Sequence, residues 1–250
     1  MRFEELGKKI GSGARADVYQ YKDKAVKLFK DSSQKKDVFY EALFHSMVED
    51  TGLIVPEIYE VIEVDNRLAI IMELIEGIPL KDKVFQENHK IRTYIERTVG
   101  LQNKIHNKNA SGFPNMKDRF KGIITNSTIL SNSQKNKLLQ SINSFNFGNG
   151  LCHGDFHFDN LILSKGRINI IDWIDVTSGS PEADLCRTYM LYCLYAPREW
   201  SEMYIQLYCQ KTGKKPENIL KWLPIVAGVR LSENIEGEKD MLKEWVKIDY

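Results

Sequence analysis

The octapeptide HGDFHFDN, residues 153–160, carries a histidine or an aspartate at every second position from His153 to Asp159. Imidazole nitrogens and carboxylate oxygens are both good ligands for transition metals, so this spacing is compatible with a metal centre. The same residues also fit a catalytic loop in which one aspartate acts while its neighbours hold the backbone. The rest of the chain has to discriminate between these two interpretations.

A further acidic residue follows the octapeptide across a predicted β-hairpin. Asn160 lies five positions after Asp155, and Asp172 ends the apolar run INII. Carboxylate and amide oxygens suit a hard cation such as Mg²⁺, whereas Zn²⁺ would recruit His153 and His157. Asp-x-x-x-x-Asn followed by an aspartate at a strand end is typical of kinase catalytic loops. There one aspartate orients the acceptor hydroxyl, and the other two residues hold magnesium on the nucleotide phosphates.

The elements that must position this loop can be read from the periodicity of the chain. Residues 1–76 are rich in predicted strands and contain one helical segment, which Gly52 closes. Residues 77–250 are mostly helical in pattern, with helices predicted in ENHKIRTYIERTVGLQNKIHNK and NSQKNKLLQSINSF, and residues 107–126 are expected to form an irregular insert. Tight turns are predicted at KDK (22–24), DN (65–66) and SKGR (164–167), and Ser180 is expected to cap a helix that has Pro181 at its first position. We therefore predict an α+β protein with a nucleotide-binding lobe at 1–76. A larger helical lobe at 77–250 would carry the catalytic loop and the acceptor site.

A kinase needs a glycine-rich turn and a phosphate-binding lysine ahead of the catalytic loop. Gly11, Ser12 and Gly13 lie between two predicted strands and are candidates to cover the nucleotide phosphates. Lys27 lies on the next strand, where it can anchor those phosphates. A Gly-x-Gly pair alone usually marks only a turn, so the order of the motifs carries more weight than this pair.

Two further upstream features complete the pattern. Glu41 on the predicted helix is our choice as the partner of Lys27, and Glu49 is the second choice. The segment IMELIEG follows the last predicted strand, and the backbone of Glu73 and Ile75 is expected to contact the nucleotide base. Several weak motifs in the required order favour a kinase more strongly than any one of them.

The chain resembles the aminoglycoside phosphotransferase and choline kinase superfamily, the small-molecule relatives of protein kinases. The segments that carry the resemblance are HGDFHFDNLIL, INIIDWIDVTSGSPEADL, GLIVPEIYEVIEVDNRLAIIMELIEGIPL and RLSENIEG. The resemblance covers nearly the whole chain and implies a bilobal, protein-kinase-like fold. It also implies Asp155 as the catalytic aspartate, Asn160 and Asp172 as Mg²⁺ ligands, Lys27 as the phosphate anchor, and ATP or GTP as co-substrate.

The acceptor is expected to be a small molecule, because no activation-loop segment of the protein-kinase kind separates DWIDVTSG from SPEADL. The acidic stretch SENIEGEKD suggests that Glu233, Glu236 and Glu238 bind a cationic, aminoglycoside-like acceptor, although these acids also fit a solvated face. Choline, another aminoalcohol or a sugar are alternative acceptors. Two other function classes are a divalent-metal hydrolase built on the histidines and a catalytically silent nucleotide-binding module.

Composition narrows the range of partners and compartments. The net charge of +1 gives no support for a nucleic-acid partner, and no apolar run is long enough for a membrane span. The four cysteines show no Cys-x-x-Cys spacing, which favours reduced thiols in a cytoplasmic protein. The expected partners are therefore a nucleoside triphosphate and a small hydroxylated acceptor. The sequence does not specify an oligomeric state.

Overall fold

The computed structural model describes residues 1–248, which divide into two compact units. The first unit comprises Met1–Lys83 and Phe158–Ile174, and the second comprises Val84–His157 and the described residues from Asp175 onward. By its contacts, the segment after the catalytic loop groups with the N-terminal residues rather than with the helices that flank it in the chain. The predicted domain limits, 1–76 and 77–250, follow chain order and stay a prediction.

The first unit contains a five-stranded antiparallel sheet in the order β1-β2-β3-β5-β4. Its strands are β1 (Lys9–Ser12), β2 (Ala16–Tyr21), β3 (Lys24–Phe29), β4 (Ile58–Val64) and β5 (Arg67–Glu73). Residues with positive φ close the hairpins at Lys22 and at Asp65–Asn66, where the sequence predicts tight turns. Lys27 lies on the central strand β3, opposite Val18 and Ile70.

Helix α1 (Lys35–Glu49) connects β3 to β4 and buries one face against the sheet. The buried positions are Val38, Glu41, His45 and Val48, a helical spacing. Val38 packs with Phe29 in one of the apolar clusters of this sheet. A carboxylate within such a face needs a compensating cation, so the burial of Glu41 already points to a charged partner.

The chain then passes through the short strand β6 (Ile78–Pro79) and a series of helices. These are α2 (Leu80–Gln86), α3 (Ile91–His106), α4 (Met116–Asn126) and α5 (Asn132–Ser144). The helical patterns that the sequence shows around residues 91–106 and 132–144 thus correspond to α3 and α5.

Helix α4 corrects the expectation that residues 107–126 are irregular. The Asn115 side chain accepts the Asp118 N–H at 3.1 Å and caps the helix. Met116, Phe120 and Ile124 are buried at four-residue intervals along one face. Capping and amphipathic spacing together account for the helix.

Four short strands lie between residues 150 and 179 of the chain, before and after the octapeptide HGDFHFDN. They are β7 (Gly150–Cys152), β8 (Leu161–Ser164), β9 (Arg167–Ile170) and β10 (Thr177–Gly179). In the first unit β8 and β9 form a hairpin, and β6 pairs with β8. Lys165 and Gly166 close this hairpin with positive φ, at the predicted SKGR turn. In the second unit β7 pairs with β10.

The second unit ends in a helical series. Its members are α6 (Pro181–Tyr195), α7 (Arg198–Thr212), α8 (Pro216–Leu220), α9 (Leu223–Ser232) and α10 (Lys239–Val246). Ser180 caps α6 by accepting the Ala183 N–H, with Pro181 at the first helical position, as the sequence predicts. Within residues 1–248 no helix is both long and apolar enough to cross a bilayer. The predicted α+β organisation, strand-rich first and helical afterwards, is confirmed.

Candidate active site

The β8–β9 hairpin brings Asn160 and Asp172 to the same end of the first unit. Asn160 directly precedes β8, Ile171 directly follows β9, and the Ile171 N–H donates to the Asn160 carbonyl at 3.0 Å. Asp172 has a φ of 65°, a left-handed conformation that is uncommon for a residue with a side chain. Such a conformation often marks a functional position. The amide oxygen and the carboxylate are the donor types that Mg²⁺ prefers.

Lys27 makes an ion pair with Asp172 and with the helix α1 carboxylate. Its Nζ donates to Glu41 Oε1 and, at 3.0 Å, to Asp172 Oδ1. The Glu41 side chain is 4% exposed and that of Lys27 is 16% exposed, whereas Asp172 is 41% exposed. Asp172 is thus partly exposed to solvent and also contacts the nearly buried Lys27. Its carboxylate can therefore bind an ion from solution while it still compensates the charge of the lysine.

Electrostatics favour the charged form of Lys27 in this cluster. Burial opposes the charge on Lys27, but Asp172 and Glu41 outweigh it and raise the pKa of the ammonium. Burial raises the pKa of Glu41 against the opposing effect of Lys27. Glu49, the second choice from the sequence, instead accepts the Ile58 N–H at 2.9 Å. The structure therefore brings Glu41, and not Glu49, to Lys27.

The glycine-rich turn joins β1 to β2. Gly11 pairs with Val18 in the ladder, the Gly13 N–H donates to the Ala16 carbonyl at 2.8 Å, and the Ser12 hydroxyl donates to Asp17 at 2.6 Å. A Cβ on Gly11 would come no closer than 3.4 Å to another atom, which is ordinary contact. Packing alone does not require glycine at this position, whereas close approach of a ligand to the backbone would.

The connector after β5 lies beside a cavity of about 780 Å³ in the first unit. Glu73 and Ile75 both line it, together with Ile54 and Val55. Gly11, Gly13 and Lys27 do not belong to its lining, so the cavity does not mark the position of the nucleotide. The contact of Glu73 and Ile75 with the base stays a prediction.

In the second unit, Asp155 lies on a loop whose backbone is tightly specified. Gly154 has a φ of 85°, and a Cβ there would collide with the carbonyl oxygen of Asp175. The buried ring of His153 accepts the Asp155 N–H at 3.2 Å through Nδ1. His153 thus supports the loop backbone, which agrees with a structural role for this histidine.

The Asp155 carboxylate has two nitrogen-bearing neighbours, an imidazole and a guanidinium. His157 Nε2 lies 3.2 Å from Oδ2, and Arg187 Nη2 lies 3.5 Å from Oδ1. Burial opposes ionisation, but the hydrogen bond from His157 and the charge of Arg187 outweigh it. They hold the pKa of Asp155 well below its usual range. The group is therefore a carboxylate at neutral pH.

The buried carboxylate of Asp184, on α6, binds the backbone of the same loop. Its Oδ1 accepts the Gly154 N–H at 2.7 Å, and its Oδ2 accepts from His106 at 2.9 Å and from Gln102 at 3.1 Å. The carboxyl is buried, which opposes ionisation, yet the hydrogen bond from His106 and its other partners keep its pKa below the usual value. Asp184 therefore acts as a brace for the loop backbone.

The metal-centre interpretation of the histidines finds no support. Within residues 1–248, the histidine, cysteine and carboxylate side chains that lie close enough to share an ion are His106, Cys152 and Asp184. Both Asp184 oxygens are engaged, and His106 Nδ1 lies 2.7 Å from the Tyr208 hydroxyl. Burial raises the pKa of the Cys152 thiol well above its usual value, which disfavours the thiolate that a metal requires. His106 and Asp184 are therefore part of a buried hydrogen-bond network.

The three acids chosen as acceptor ligands differ in environment. Glu233 accepts from Arg187 at 2.9 Å and from Arg230 at 2.6 Å. Glu238 is buried and accepts two N–H groups from Arg230, at 2.7 and 2.6 Å. Glu236 is exposed and accepts only a surface contact from Lys239 among the described residues. All three carboxylates thus have a cationic partner within the protein, but Glu233 and Glu238 are held by arginines whereas Glu236 has only an exposed contact with a lysine among the described residues.

Sequence reasoning missed Arg187, which contacts both Asp155 and Glu233. A signal was present in the motif DLCRTYML, where an arginine interrupts an otherwise largely apolar helix. A buried guanidinium requires acidic partners, so its presence predicts acids nearby. The identity of those acids depends on contacts 32 and 46 residues away along the chain.

Comparison with known proteins agrees with this geometry. The model of the phosphotransferase enzyme family matches residues 133–218, which include Asp155, Asn160, Asp172 and Arg187. No curated protein is significantly similar to the chain in sequence. The family match covers nearly all of α5, the strands β7–β10, the helices α6 and α7, and the start of α8.

Solved structures extend the similarity over nearly the whole chain. The similar structures include those of two aminoglycoside phosphotransferases and one choline kinase. One is a thermostable APH(4)-Ia mutant with AMP-PNP and hygromycin B, which is 14% identical, with 95% of this chain and 86% of that chain covered and a TM-score of 0.67. The second is ADP-bound APH(2'')-Ib, which is 18% identical, with 97% of this chain and 91% of that chain covered and a TM-score of 0.62. The third is the choline kinase LicA from Streptococcus pneumoniae, which is 17% identical, with 98% of this chain and 87% of that chain covered and a TM-score of 0.65. The resemblance to this superfamily and the predicted protein-kinase-like fold are confirmed.

The Lys27–Glu41 pair predicts non-additive kinetics. Lys27→Ala and Glu41→Gln should each lower kcat/KM for the nucleotide at least about tenfold, because each leaves the other group misplaced or uncompensated. The loss of transition-state stabilisation in the double variant should be smaller than the sum of the two single losses, with a coupling energy of about 0.5–3 kcal/mol. Steady-state kinetics on the four proteins measure this. Lys27→Ala combined with Glu49→Gln should be additive, and additivity for Glu41 as well would show that the pair does not act as a unit.

Asp184→Asn should destabilise the protein by about 3 kcal/mol, because one amide cannot accept all three hydrogen bonds. Asp118→Asn, on the exposed face of α4, should change stability by less than about 0.5 kcal/mol. Urea unfolding followed by circular dichroism measures both.

The pH dependence of the free energy of unfolding should also differ between the wild type and Asp184→Asn. The pKa of Asp184 is lower in the folded protein than in the unfolded chain. Its contribution to folding stability is therefore fully present above the unfolded pKa, near 3.8, and is lost as the pH falls through the folded pKa. The Asn variant should therefore lose less stability than wild type on acidification below about pH 4. Parallel acid slopes in the two proteins would contradict this role.

Proposed function

We propose that this chain is a phosphotransferase that moves the terminal phosphoryl group of ATP to a hydroxyl group of a small molecule. The observation that carries the proposal is the position of Lys27, whose ammonium pairs with both Glu41 and Asp172 at the hairpin end that also holds Asn160. The phosphotransferase family match and the ADP and AMP-PNP complexes among similar structures support it. ATP is favoured over GTP because both of those ligands are adenine nucleotides.

Asn160 and Asp172 are the residues that would hold Mg²⁺. Their oxygen donors fit a hard cation, and the half-exposed Asp172 carboxylate keeps a face toward solvent. Mg²⁺, when bound, would neutralise charge on the nucleotide phosphates. The adjacent Lys27 supplies a fixed positive charge at the same end of the hairpin.

The remaining steps belong to side chains and backbone of this chain. Lys27 would hold the phosphates, and the amides of the turn at Gly11–Gly13 would cover them. Asp155 would accept a hydrogen bond from the acceptor hydroxyl and orient its oxygen for in-line attack. Because its pKa is strongly depressed, Asp155 is a weak base. Its contribution would therefore be orientation, with proton transfer late in a loose transition state.

For the acceptor we propose a cationic, hydroxylated molecule of the aminoglycoside type, with choline, another aminoalcohol or a sugar as alternatives. The support is the identity of the similar structures, because aminoglycosides and choline both combine a hydroxyl group with positively charged nitrogen. Glu233 and Glu238 lend less support than the sequence suggested, since arginines compensate them. Glu236 is the member of the set whose carboxylate faces solvent.

Two aspartate variants separate chemistry from nucleotide binding. Asp155→Asn should lower kcat by about 10²–10⁴, because the acceptor hydroxyl loses its orienting carboxylate, while nucleotide affinity stays within about tenfold. Asp172→Asn should weaken nucleotide binding in the presence of Mg²⁺ and remove its dependence on the ion. Calorimetric titrations with and without Mg²⁺ measure both.

Three results would oppose these assignments. Equal losses of nucleotide affinity in both variants would mean that Asp155 and Asp172 do not have separate roles. Stoichiometric, tight zinc binding by the wild-type protein would instead favour the hydrolase alternative. Intact nucleotide binding with no transfer to any acceptor would favour the silent nucleotide-binding module.

The charge of the acceptor can be tested at Glu236. If a cationic acceptor approaches this carboxylate, Glu236→Gln should raise the acceptor KM about two- to fivefold, the range for an exposed ion pair. The KM of the nucleotide should not change, and added salt should reduce the effect. Glu244→Gln, an exposed acid on α10 paired with Lys247, is the matched control. An unchanged acceptor KM would place the cationic group elsewhere, and a neutral best acceptor would reject the cationic class.

A further inference from the structure

We propose that Arg187 is a positioning residue for the proposed phosphotransfer, and that an alternating chain of charges links it to the segment after α9. The chain of charges, here called the Arg187 network, consists of Asp155, Arg187, Glu233, Arg230 and Glu238, all in the second unit. The inference rests on the proposed function, because it concerns the aspartate that would orient the acceptor.

Arg187 is the member that contacts the catalytic loop. Its side chain is 8% exposed, so its charge must be compensated within the protein. Nη1 donates to Glu233 Oε1 at 2.9 Å, and Nη2 reaches Asp155 Oδ1 at 3.5 Å. The contact to Glu233 is a well-formed hydrogen bond, whereas that to Asp155 is at the limit and mainly electrostatic. Glu233 thus holds the guanidinium partly away from Asp155.

Glu233 is itself fixed from the other side. Its second oxygen, Oε2, accepts from Arg230 Nη1 at 2.6 Å. Arg230 in turn donates from Nε and Nη2 to the two oxygens of Glu238, the two-pronged geometry in which an arginine is most strongly oriented. Glu238 is 2% exposed, and it also accepts from the Tyr195 hydroxyl. The three inner members, Arg187, Glu233 and Arg230, therefore each lie between two partners of opposite sign.

This arrangement has a consequence for Asp155. A guanidinium that is hydrogen-bonded to one carboxylate is not free to approach a second one to its optimal distance, and the 3.5 Å contact with Asp155 is longer than the 2.9 Å contact with Glu233. Neutralising Glu233 should let Arg187 move onto Asp155 and draw its oxygen away from the acceptor hydroxyl. Small displacements of an orienting group reduce turnover strongly without changing the affinity for the substrates. The acids after α9 would then set kcat through Arg187, rather than the acceptor KM through direct contact.

The test compares Glu233→Gln and Arg187→Lys with an ion pair of the same composition on the surface. Arg198 and Glu202 form an exposed pair on α7, and Arg198→Lys and Glu202→Gln are the controls. Each network variant should lower kcat by about ten- to a hundredfold, with the KM of both substrates within about twofold. The combined variant should be little worse than either alone. Glu233→Asp should recover part of the loss, and both controls should match wild type.

Folding is checked by thermal melting, so that turnover is compared among proteins that are folded at the assay temperature. Unchanged kcat in Glu233→Gln and Arg187→Lys would overturn the inference. A rise in acceptor KM with unchanged kcat would overturn it as well, and would return Glu233 to direct acceptor binding.

A second measurement separates this inference from the proposed function. A wild-type chain that transfers phosphate to no acceptor overturns the proposed function, and urea unfolding then decides the network. Asp155→Asn and Glu233→Gln should shift the unfolding midpoint non-additively when Arg187 is present, because both carboxylates share it. The same pair should be additive in an Arg187→Gln background. Additivity in both backgrounds would overturn the network.

Discussion

The buried ammonium of Lys27 is the constraint on which the arrangement of the first unit depends. A charge on the central strand of a sheet must be compensated, and two carboxylates from different parts of the chain supply the compensation. Helix α1 has to present Glu41 toward the sheet, and the β8–β9 hairpin has to end so that Asp172 reaches the same nitrogen. Asp172 is held in a left-handed backbone conformation to do so. The compensation of Lys27 therefore determines which face of α1 is buried, where the β8–β9 hairpin ends and the backbone conformation of Asp172.

In the second unit, several contacts fix the backbone of the loop at Gly154 and Asp155. Gly154 takes a conformation that a side chain would prevent, and Asp184 accepts the N–H of that glycine from a buried position. The carboxylate of Asp155 is then oriented by His157 and Arg187. Backbone and side chain of the loop thus have separate supports, so substitutions at Asp184 and at Arg187 should act on stability and turnover respectively.

Local signals in the sequence predicted much of this, and the failures were non-local. The turns at Asp65–Asn66 and Lys165–Gly166, the Ser180 cap and the place of Lys27 on a strand all depend on neighbouring residues. Helix α4 is an exception, because it was missed although its signals, the Asn115 cap and the four-residue apolar spacing, are local. The pairing of Arg187 with Glu233 joins residues 46 positions apart, and no periodicity in the sequence encodes such a contact.

The central claim is that the wild-type chain forms a phosphate ester on a small hydroxylated molecule at the expense of ATP. The most direct measurement is phosphorus NMR of the protein with ATP, Mg²⁺ and each member of a panel of amino sugars, choline-like alcohols and neutral sugars, with mass spectrometry of the product. The account predicts, for at least one acceptor, a new phosphomonoester resonance that grows together with ADP and an acceptor mass increased by one phosphoryl group. ATP consumption that yields only inorganic phosphate with every acceptor, or no consumption at all, would contradict it.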